Sequence, residues 1–373
     1  MNATYRKLSA AHRAVLQLLQ TYVAGTPPEG TVATLSEATP EELARIGQTN
    51  HVHALIGQVM SQHEVLQTAV PRDLYLYFIT MYRANEERLA ETQNQLAMIG
   101  KALTQAEIPA VVMKGGGDAL DPLHADPAIR FTGDLDVLVP ESEAIRAQDL
   151  LIEIGAQSIL DTELSESQQI GARGFKLPEH HLPKILHPEW QLPLELHTKV
   201  GRATMDRVLP ALDILSRRVS IGSDGLSVMA PEDRACHLLA HASHHAGEVD
   251  LRAWVDWVVL RHRCDRDIVR KRLEAEGLGD VFTNFETVAG VLQGETGEAF
   301  EQAMSTAAMS PILHSFGGTR SRQAMYLPLL LKTRLKALAR SPEYRRYVLQ
   351  SIFKPAWWKQ VWQNHRQIQK NLR

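Results

Sequence analysis

The sequence predicts an α+β protein in which a small core of strands and helices lies between two helical regions. Three observations lead to this prediction. Apolar residues recur at helical spacing near both ends, short runs rich in β-branched residues fall in the middle, and glycines or prolines separate the segments. We therefore expect a helical region at residues 1–105, an α/β core at 106–230 and a second helical region at 231–373.

The N-terminal region divides into helices at clear breakers. A first helix is expected from Leu8 to Ala24, and the glycines and prolines of Gly25 to Gly30 end it. Thr39 and Pro40 then predict a helix start, because threonine is a good N-cap and proline suits the first helical position. A long helical pattern follows from Arg72 to Gln105.

Three strands are expected in the core. Ile108 to Met113 is a short apolar run, which is typical of a buried strand. Leu135 to Val139 is a second strand, ended by Pro140. Leu192 to Thr198 alternates apolar and polar residues and predicts a third strand.

The segments around these strands are expected as follows. Ser142 to Ile154 predicts a helix that Gly155 ends, and Arg217 to Met229 predicts a small hairpin. Leu160 to Pro193 has no clean period and is expected to be irregular. Beyond Pro231 the pattern is helical throughout.

Two aspartates open the second predicted strand. Asp134 and Asp136 are two positions apart, and such side chains point to the same face of a strand. Adjacent carboxylates repel each other and are stable as anions near a cation or water. Since Mg²⁺ is often held by one or two carboxylates and substrate phosphates, the pair is a candidate magnesium site for a nucleotide. A pair of solvated acids at a strand edge is the alternative interpretation.

The first predicted strand ends in a glycine turn at Lys114, Gly115 and Gly116. Glycines allow a ligand to approach the backbone closely, and a helix beginning there would offer free N–H groups to a phosphate. Arg130, which precedes Asp134, carries a guanidinium that suits phosphate oxygens. The alternatives are an ordinary strand-to-helix turn and a structural salt bridge of Arg130. The turn matches neither G-x-x-x-x-G-K-[ST] nor G-x-G-x-x-G.

A third carboxylate lies on the third predicted strand. Alternation places Glu195 and His197 on one face, opposite Leu194 and Leu196. If this strand neighbours the second one, Glu195 would complete a metal site or act as a base for the attacking group. A polar strand face is the alternative.

Together these residues resemble the polymerase-β-like nucleotidyltransferase superfamily, and within it the uncharacterised bacterial nucleotidyltransferase family. That group has a strand ending in Lys-Gly, then Arg, Asp-x-Asp-x-Leu-Val and later Glu/Asp-Leu-His. The corresponding segments here are Ile108 to Gly115, Arg130, Asp134 to Val139, and Glu195 to His197.

The resemblance extends to about residues 70–265. Its later part comprises Pro231 to Asp233, His237 and His241, then Leu251, Arg252 and Asp256. The sequence departs from the wider superfamily in the longer segment between the glycine turn and the acids, which contains Asp118, Asp121 and Asp126.

The resemblance implies a small mixed β-sheet with flanking helices, and Mg²⁺-dependent (or Mn²⁺-dependent) transfer of a nucleoside monophosphate from a nucleoside triphosphate, expected to be ATP. The acceptor would be a hydroxyl on a small molecule, sugar or protein. Catalysis and metal binding fall to Asp134, Asp136 and Glu195; nucleotide binding to Lys114, Gly115, Gly116, Arg130 and Gly133; and an accessory or acceptor-binding role to His197, His241 and His245.

Two other functions stay open. The histidines at 237, 241, 244 and 245 are spaced as zinc ligands on a helix can be, which would suit a metal-dependent hydrolase, although H-E-x-x-H is absent. These histidines are also explained by packing beside the nucleotide site. The second alternative is a non-catalytic protein that binds a nucleotide or a partner on the same fold.

Composition predicts a soluble, cytoplasmic protein. The chain is 44% hydrophobic and 22% charged, as is usual for globular proteins. Its two cysteines, Cys236 and Cys264, do not form a disulfide framework and suggest a reducing compartment. We expect neither a signal peptide nor a membrane span, since no apolar stretch reaches about 18 residues.

The C-terminal tail is strongly basic. From Gly318 to Arg373 there are 13 Lys and Arg residues and one acidic residue, Glu343. Such asymmetry can mark anionic partners, including nucleic acid. The basic residues are interleaved with Leu, Tyr and Trp at helical spacing, which favours a solvated helix face. We therefore rank a nucleic-acid acceptor below a small molecule, sugar or protein.

Overall fold

The computed structural model describes residues 9–158, 180–201, 204–222, 225–244 and 251–294, together with the single position Leu349. The basic tail and His245 therefore lie outside the described residues, apart from Leu349. No helix within the described ranges has the length and apolar character that a membrane span requires.

The N-terminal helices begin and end where capping chemistry favours it. The Ser9 side chain accepts a hydrogen bond from the backbone N–H of His12 and caps the first helix, and Gly25 ends that helix with φ of 76°. Pro40 occupies the first turn of the third helix, and the longest helix matches the expected bounds. The helices are α1 (Ala10–Ala24), α2 (Thr31–Glu37), α3 (Pro40–Thr49), α4 (His53–Gln62), α5 (Glu64–Gln67) and α6 (Arg72–Gln105).

The remaining helices surround and follow the sheet. Two single 3₁₀ turns, Pro127–Ile129 and Glu141–Glu143, lie between them. The helices are α7 (Lys114–Leu120), α8 (Ala144–Glu153), α9 (Thr204–Val208), α10 (Ala211–Arg217), α11 (Pro231–His244), α12 (Leu251–Leu260), α13 (Arg266–Ala275) and α14 (Gly279–Leu292).

One mixed sheet of seven strands forms the core. The strands are β1 (Val111–Met113), β2 (Leu135–Leu138), β3 (Gln157–Ser158), β4 (Ile185–Leu186), β5 (Leu194–His197), β6 (Val219–Ser220) and β7 (Ser227–Val228). Their order is β3-β4-β5-β2-β1-β7-β6. The pairs β2–β5 and β1–β7 are parallel and the other pairs are antiparallel.

The central strands are buried on both faces, so successive residues enter two different cores. Val112 and Val137 pack into a core that includes the end of α6 and helix α8. Val111 and Leu138 belong to a larger core that also contains α1, α4, α11 and α12. Asp136 shares the face of Leu138, because residues two apart on a strand point the same way. The polar site therefore lies on the face that carries the larger core.

The α+β class and the mixed sheet are confirmed. The three strands predicted in the core, the hairpin and the helices expected within the described residues are all present. The expectation of irregular structure up to Pro193 was wrong at Ile185–Leu186, which forms β4. This strand is only two residues long and is held by pairing with β3 and β5, so it has no periodic pattern of its own.

Candidate functional site

The site forms where β2 and β5 lie side by side. These parallel strands pair Asp136 with Glu195 and Leu138 with His197. One ligand atom from each of Asp136, Glu195 and His197 lies within 4.8 Å of the other two. The three residues are 0%, 8% and 1% exposed. Within the described ranges this is the one group of three or more such side chains, so the pairing of two strands creates a buried polar centre.

Two lysines neutralise the carboxylates of this centre. Lys114 directly follows β1, whose Met113 pairs with Asp136, and its Nζ lies 2.5 Å from Asp136 Oδ1. Lys184, just before β4, places its Nζ 2.9 Å from Glu195 Oε1 and 3.7 Å from Asp134 Oδ2. Burial of the acids is therefore compensated from both sides of the strand pair.

The charges of the centre hold both buried carboxyls in their ionised form. Burial raises the pKa of Asp136, but contact with His197 and the ammonium of Lys114 outweigh it and hold the pKa well below its usual range. Contact with His197, opposed by burial and helped by Lys184, lowers the pKa of Glu195 to about 2. Burial lowers the pKa of His197, whereas its two acidic neighbours raise it, and the net direction is upward.

The orientation of His197 leaves a nitrogen directed at the acids without a hydrogen bond. Its Nδ1 lies 3.2 Å from the carbonyl oxygen of Lys199 and donates to it, so Nε2 faces the acids and, in the neutral ring, carries the lone pair. Nε2 is 2.8 Å from Asp136 Oδ1 and 3.4 Å from Glu195 Oε2, yet neither Nε2 nor Asp136 Oδ2 has a hydrogen-bond partner. Metal-binding histidines are commonly fixed by such a carbonyl contact, so the donor set fits a divalent ion.

Asp134 lies at the rim of this centre. Its side chain is 40% exposed and precedes the first residue of β2, and it is not part of the three-residue group. Burial and the negative charges of Asp136 and Glu195 raise its pKa. The two aspartates are thus electrostatically linked, but one is buried and the other faces solvent.

The glycines of the turn pack closely against neighbouring groups. Helix α7 begins at Lys114, which has φ of 49°. A methyl group at Gly115 would lie 2.2 Å from Thr132 Oγ1, and one at Gly116 would lie 2.8 Å from Val112 Cγ1. Gly133 is exposed. The small residues therefore let α7 lie directly on the sheet and on the segment before β2.

Arg130 is held by two buried carboxylates. Its Nε lies 2.5 Å from Asp118 Oδ2 and 3.0 Å from Asp256 Oδ2. Two acids of the long segment after the glycine turn, Asp118 and Asp121, belong to the same network, and Asp126 is held separately. Arg234 binds both Asp118 and Asp121, and the Tyr82 hydroxyl donates to Asp126 over 2.6 Å. These contacts of Arg130 are therefore structural salt bridges, which was the alternative to a phosphate-binding role.

His237, on α11, is close enough to the centre for the charges of Lys114 and Asp136 to act on it. It is buried, its Nε2 has no hydrogen-bond partner, and burial together with the charge of Lys114 lowers its pKa to about 3. Its ring is 5.7 Å from that of His241. His237 is therefore neutral and packs beside the acids, and these two histidines form no three-residue metal group with other described residues.

Two residues of the site, Lys184 and His181, were missed from the sequence. His181 Nε2 lies 3.8 Å from Glu195 Oε2, and an isolated bridge pairs His181 with His197. Both residues fall in the stretch expected to be irregular. The pattern His-His-Leu-Pro-Lys before a short apolar pair was the available signal, because an extended segment beside Glu-Leu-His would bring these side chains to the acids.

Comparison with known proteins gives one match. The model of a family described as "Uncharacterised nucleotidyltransferase" matches residues 36–289. Neither a curated protein nor a solved structure matches the chain. The matched range contains all of the candidate site and the whole sheet.

Proposed function

The chain belongs to the uncharacterised nucleotidyltransferase family, and from this premise we propose that it transfers a nucleoside monophosphate from a nucleoside triphosphate to a hydroxyl-type acceptor. The observation that carries the proposal is the convergence of Asp136, Glu195 and His197 beside the Lys114 turn. We expect ATP as the donor and a small molecule, sugar or protein as the acceptor.

The proposed metal ligands are Asp134, Asp136 and Glu195, extended by His197. Two of them are ionised within a buried centre, and Asp136 Oδ2 and His197 Nε2 lack other partners, as a ligand set requires. Mg²⁺ or Mn²⁺ bound there would supply positive charge to the triphosphate and to the attacking oxygen. The low pKa of Glu195, about 2, favours a role for this carboxylate as a metal ligand over a role as general base.

The remaining proposed residues act on the phosphates. Lys114 supplies a positive charge next to Asp136, and the first N–H groups of α7, at Gly115 and Gly116, have no partner within a helix. Arg130 reaches this turn, since a methyl group at Gly115 would lie 2.9 Å from its Nη1, and Gly133 directly precedes Asp134. In the reaction the acceptor oxygen gives its proton to solvent and bonds to the α-phosphorus. The bond from that phosphorus to the oxygen that bridges it to the β-phosphorus breaks, and pyrophosphate leaves with that oxygen.

The test is a screen for nucleotide transfer by the wild type and by Asp136→Ala. Each nucleoside triphosphate is incubated with Mg²⁺ or Mn²⁺ and a cell metabolite extract, and mass spectrometry detects nucleotide additions while pyrophosphate is assayed. We expect transfer by the wild type and none by Asp136→Ala. Asp149→Ala, which removes an exposed acid on α8, is the matched control.

Full activity in Asp136→Ala would refute the assignment. The same assay separates the non-catalytic alternative, which one observation favours: lysine ammoniums already neutralise Asp136 and Glu195. Equilibrium binding of a metal–nucleotide complex by the wild type, without pyrophosphate release with any acceptor, would support that alternative.

A further inference from the structure

A small cleft, partly open to solvent, lies between α6 and α7, next to the glycine turn. Its polar lining comes from three segments: the middle of α6, the start of α7 and the chain before β2. These segments contribute Asn85, Arg88, Thr92, Gly115, Arg130 and Thr132 to the lining.

Arg88 gives this cleft an unbalanced positive charge. Its guanidinium carbon lies 5.1 Å from the centre of the Phe131 ring, and it forms no ion pair or hydrogen bond with any described residue. Asp118 is the one acid among the lining residues, and it is already bound by Arg130 and Arg234. The cation–π contact with Phe131 holds the Arg88 guanidinium near the ring and does not use its N–H groups, which suits recognition of an anion.

A second observation points to a polar ligand in the same place. Thr92 is 2% exposed and lines the cleft, yet its Oγ1 has no hydrogen-bond partner. A helical threonine ordinarily bonds to a carbonyl of the preceding turn when no other partner exists. A buried hydroxyl without a partner is costly, so a ligand or water that bonds to it would be favoured.

The cleft adjoins the turn that contributes Lys114 to the candidate catalytic centre. Gly115 lines it, and the adjacent Lys114 contacts Asp136. Thr132 lines it as well, two positions before Asp134. A phosphate bound in the cleft would therefore lie against the same turn that carries Lys114.

We propose that this cleft binds a phosphate group, with Arg88 as its anion-binding residue. The phosphate comes either from the terminal phosphates of the nucleoside triphosphate or from a phosphorylated acceptor. The proposal rests on the proposed function for its place in the reaction, whereas binding of the anion itself depends only on the residues of the cleft. Arginine suits this role because its planar fork donates two parallel hydrogen bonds to phosphate oxygens.

The test is calorimetric titration of inorganic pyrophosphate into the full chain without divalent metal. Arg88→Gln is expected to weaken binding about tenfold or more, since a charge-assisted contact is lost. Arg88→Lys keeps the charge but not the fork and is expected to bind with intermediate affinity. Arg83→Gln is the matched control, because Arg83 is an exposed arginine on α6 paired with Glu86 and should bind as the wild type does.

Competition then identifies the source of the phosphate. Displacement of pyrophosphate by ATP would assign the cleft to the donor, and retention of pyrophosphate at saturating ATP would assign it to a phosphorylated acceptor. Absence of pyrophosphate binding in the wild type, or equal affinity in Arg88→Gln with an unchanged melting temperature, would overturn the inference.

The same titrations keep the two proposals apart. If the wild type transfers nucleotides but does not bind pyrophosphate, the proposed phosphate site in the cleft is refuted and the proposed function is supported. If pyrophosphate binding depends on Arg88 but no nucleotide is transferred, the phosphate site is supported and the proposed function is refuted.

Discussion

The imidazole of His197 determines which ion the centre should prefer. Its Nδ1 donates to the carbonyl of Lys199, so Nε2 faces two carboxylates, and a metal ion that displaces the proton of Nε2 would bind its lone pair. Mg²⁺ favours oxygen ligands and a mostly hydrated shell, whereas imidazole suits transition metals. A centre that combines Asp136, Glu195 and His197 should therefore bind Mn²⁺ more tightly than Mg²⁺.

Replacement of this ring should weaken metal binding. We expect His197→Gln to lower Mn²⁺ affinity by about 10- to 100-fold, the range found when groups that orient metal ligands are lost. Electron paramagnetic resonance of free Mn²⁺ in a titration without nucleotide measures the effect. His262→Gln is the control, because His262 is exposed and lies outside the group of Asp136, Glu195 and His197. Equal affinity in His197→Gln and the wild type would exclude His197 as a ligand.

At the residue scale, alternation along the strands was enough to predict part of the centre. It placed Glu195 and His197 on one face, and the pairing of β2 with β5 brings that face to Asp136. It did not distinguish the buried Asp136 from the half-exposed Asp134, because both have the same strand parity and the difference arises where β2 begins. Lys184 reaches the acids through a two-residue strand, which leaves no periodic signal.

At the scale of elements, the start of α7 depends on small residues. Helix α7 lies so close to the sheet that a methyl group at Gly116 would meet Val112 Cγ1 at 2.8 Å and Leu135 Cδ2 at 3.0 Å. Both of these side chains are buried in a core that cannot shift freely. The glycines therefore serve packing, which makes their N–H groups available at the turn without a side chain in the way.

Gly116→Ala tests this packing. Alanine would gain about 1 kcal/mol of helix propensity, but overpacking a dense core costs typically 1–3 kcal/mol. We expect a net loss of about 1–2 kcal/mol in the free energy of unfolding, measured by urea denaturation. Gly133→Ala is the control, because the nearest atom to its added methyl group, Phe131 Cε1, is 3.8 Å away. A Gly116→Ala variant as stable as the wild type would show that α7 can move away from the sheet.

Long helices that bury only one face were the easiest elements to predict from the sequence. Helix α6 has enough turns for its apolar stripe to be read, and its bounds agree with the pattern. The two-residue strands β3 and β4 at one edge exist only through pairing with neighbours, so tertiary contacts decide them. Long, periodic segments were thus predictable, as was the β6–β7 hairpin with its glycine turn at one edge, whereas β3 and β4 at the other edge were not.

At the scale of the whole molecule, a buried polar chain joins the N-terminal helix to the site. The Tyr22 hydroxyl of α1 lies 3.0 Å from His124 Nδ1, and His124 Nε2 lies 2.8 Å from Asp256 Oδ1. Asp256 also binds Arg130. Burial raises the pKa of Asp256, but the charges of Arg130 and His124 outweigh it and keep the carboxyl ionised. Helices distant in sequence therefore share one network around Arg130.

The larger core also joins α1 to helices that are distant from it in the sequence. Leu18 and Leu19 of α1 are fully buried in it together with Trp254 and Trp257 of α12, although α1 precedes the range that the family model matches. Gln20 of α1 donates to the carbonyl of Val291 in α14 over 2.9 Å. Because these contacts join the two ends of the described chain, α1 should contribute to the stability of regions far from it.

Leu19→Ala tests this coupling. Truncation of a buried leucine costs about 2–5 kcal/mol, because transfer free energy is lost and a cavity remains. If the described part of the chain unfolds cooperatively, this loss will appear in α12 as well as in α1. Hydrogen exchange followed by mass spectrometry should show faster exchange of the α12 peptide in Leu19→Ala. Leu212→Ala, at a residue 76% exposed on α10, should leave that peptide within about 0.5 kcal/mol of the wild type. Unchanged protection of α12 in Leu19→Ala would mean that α1 folds as a separate unit and that the core it shares with α12 does not transmit its stability.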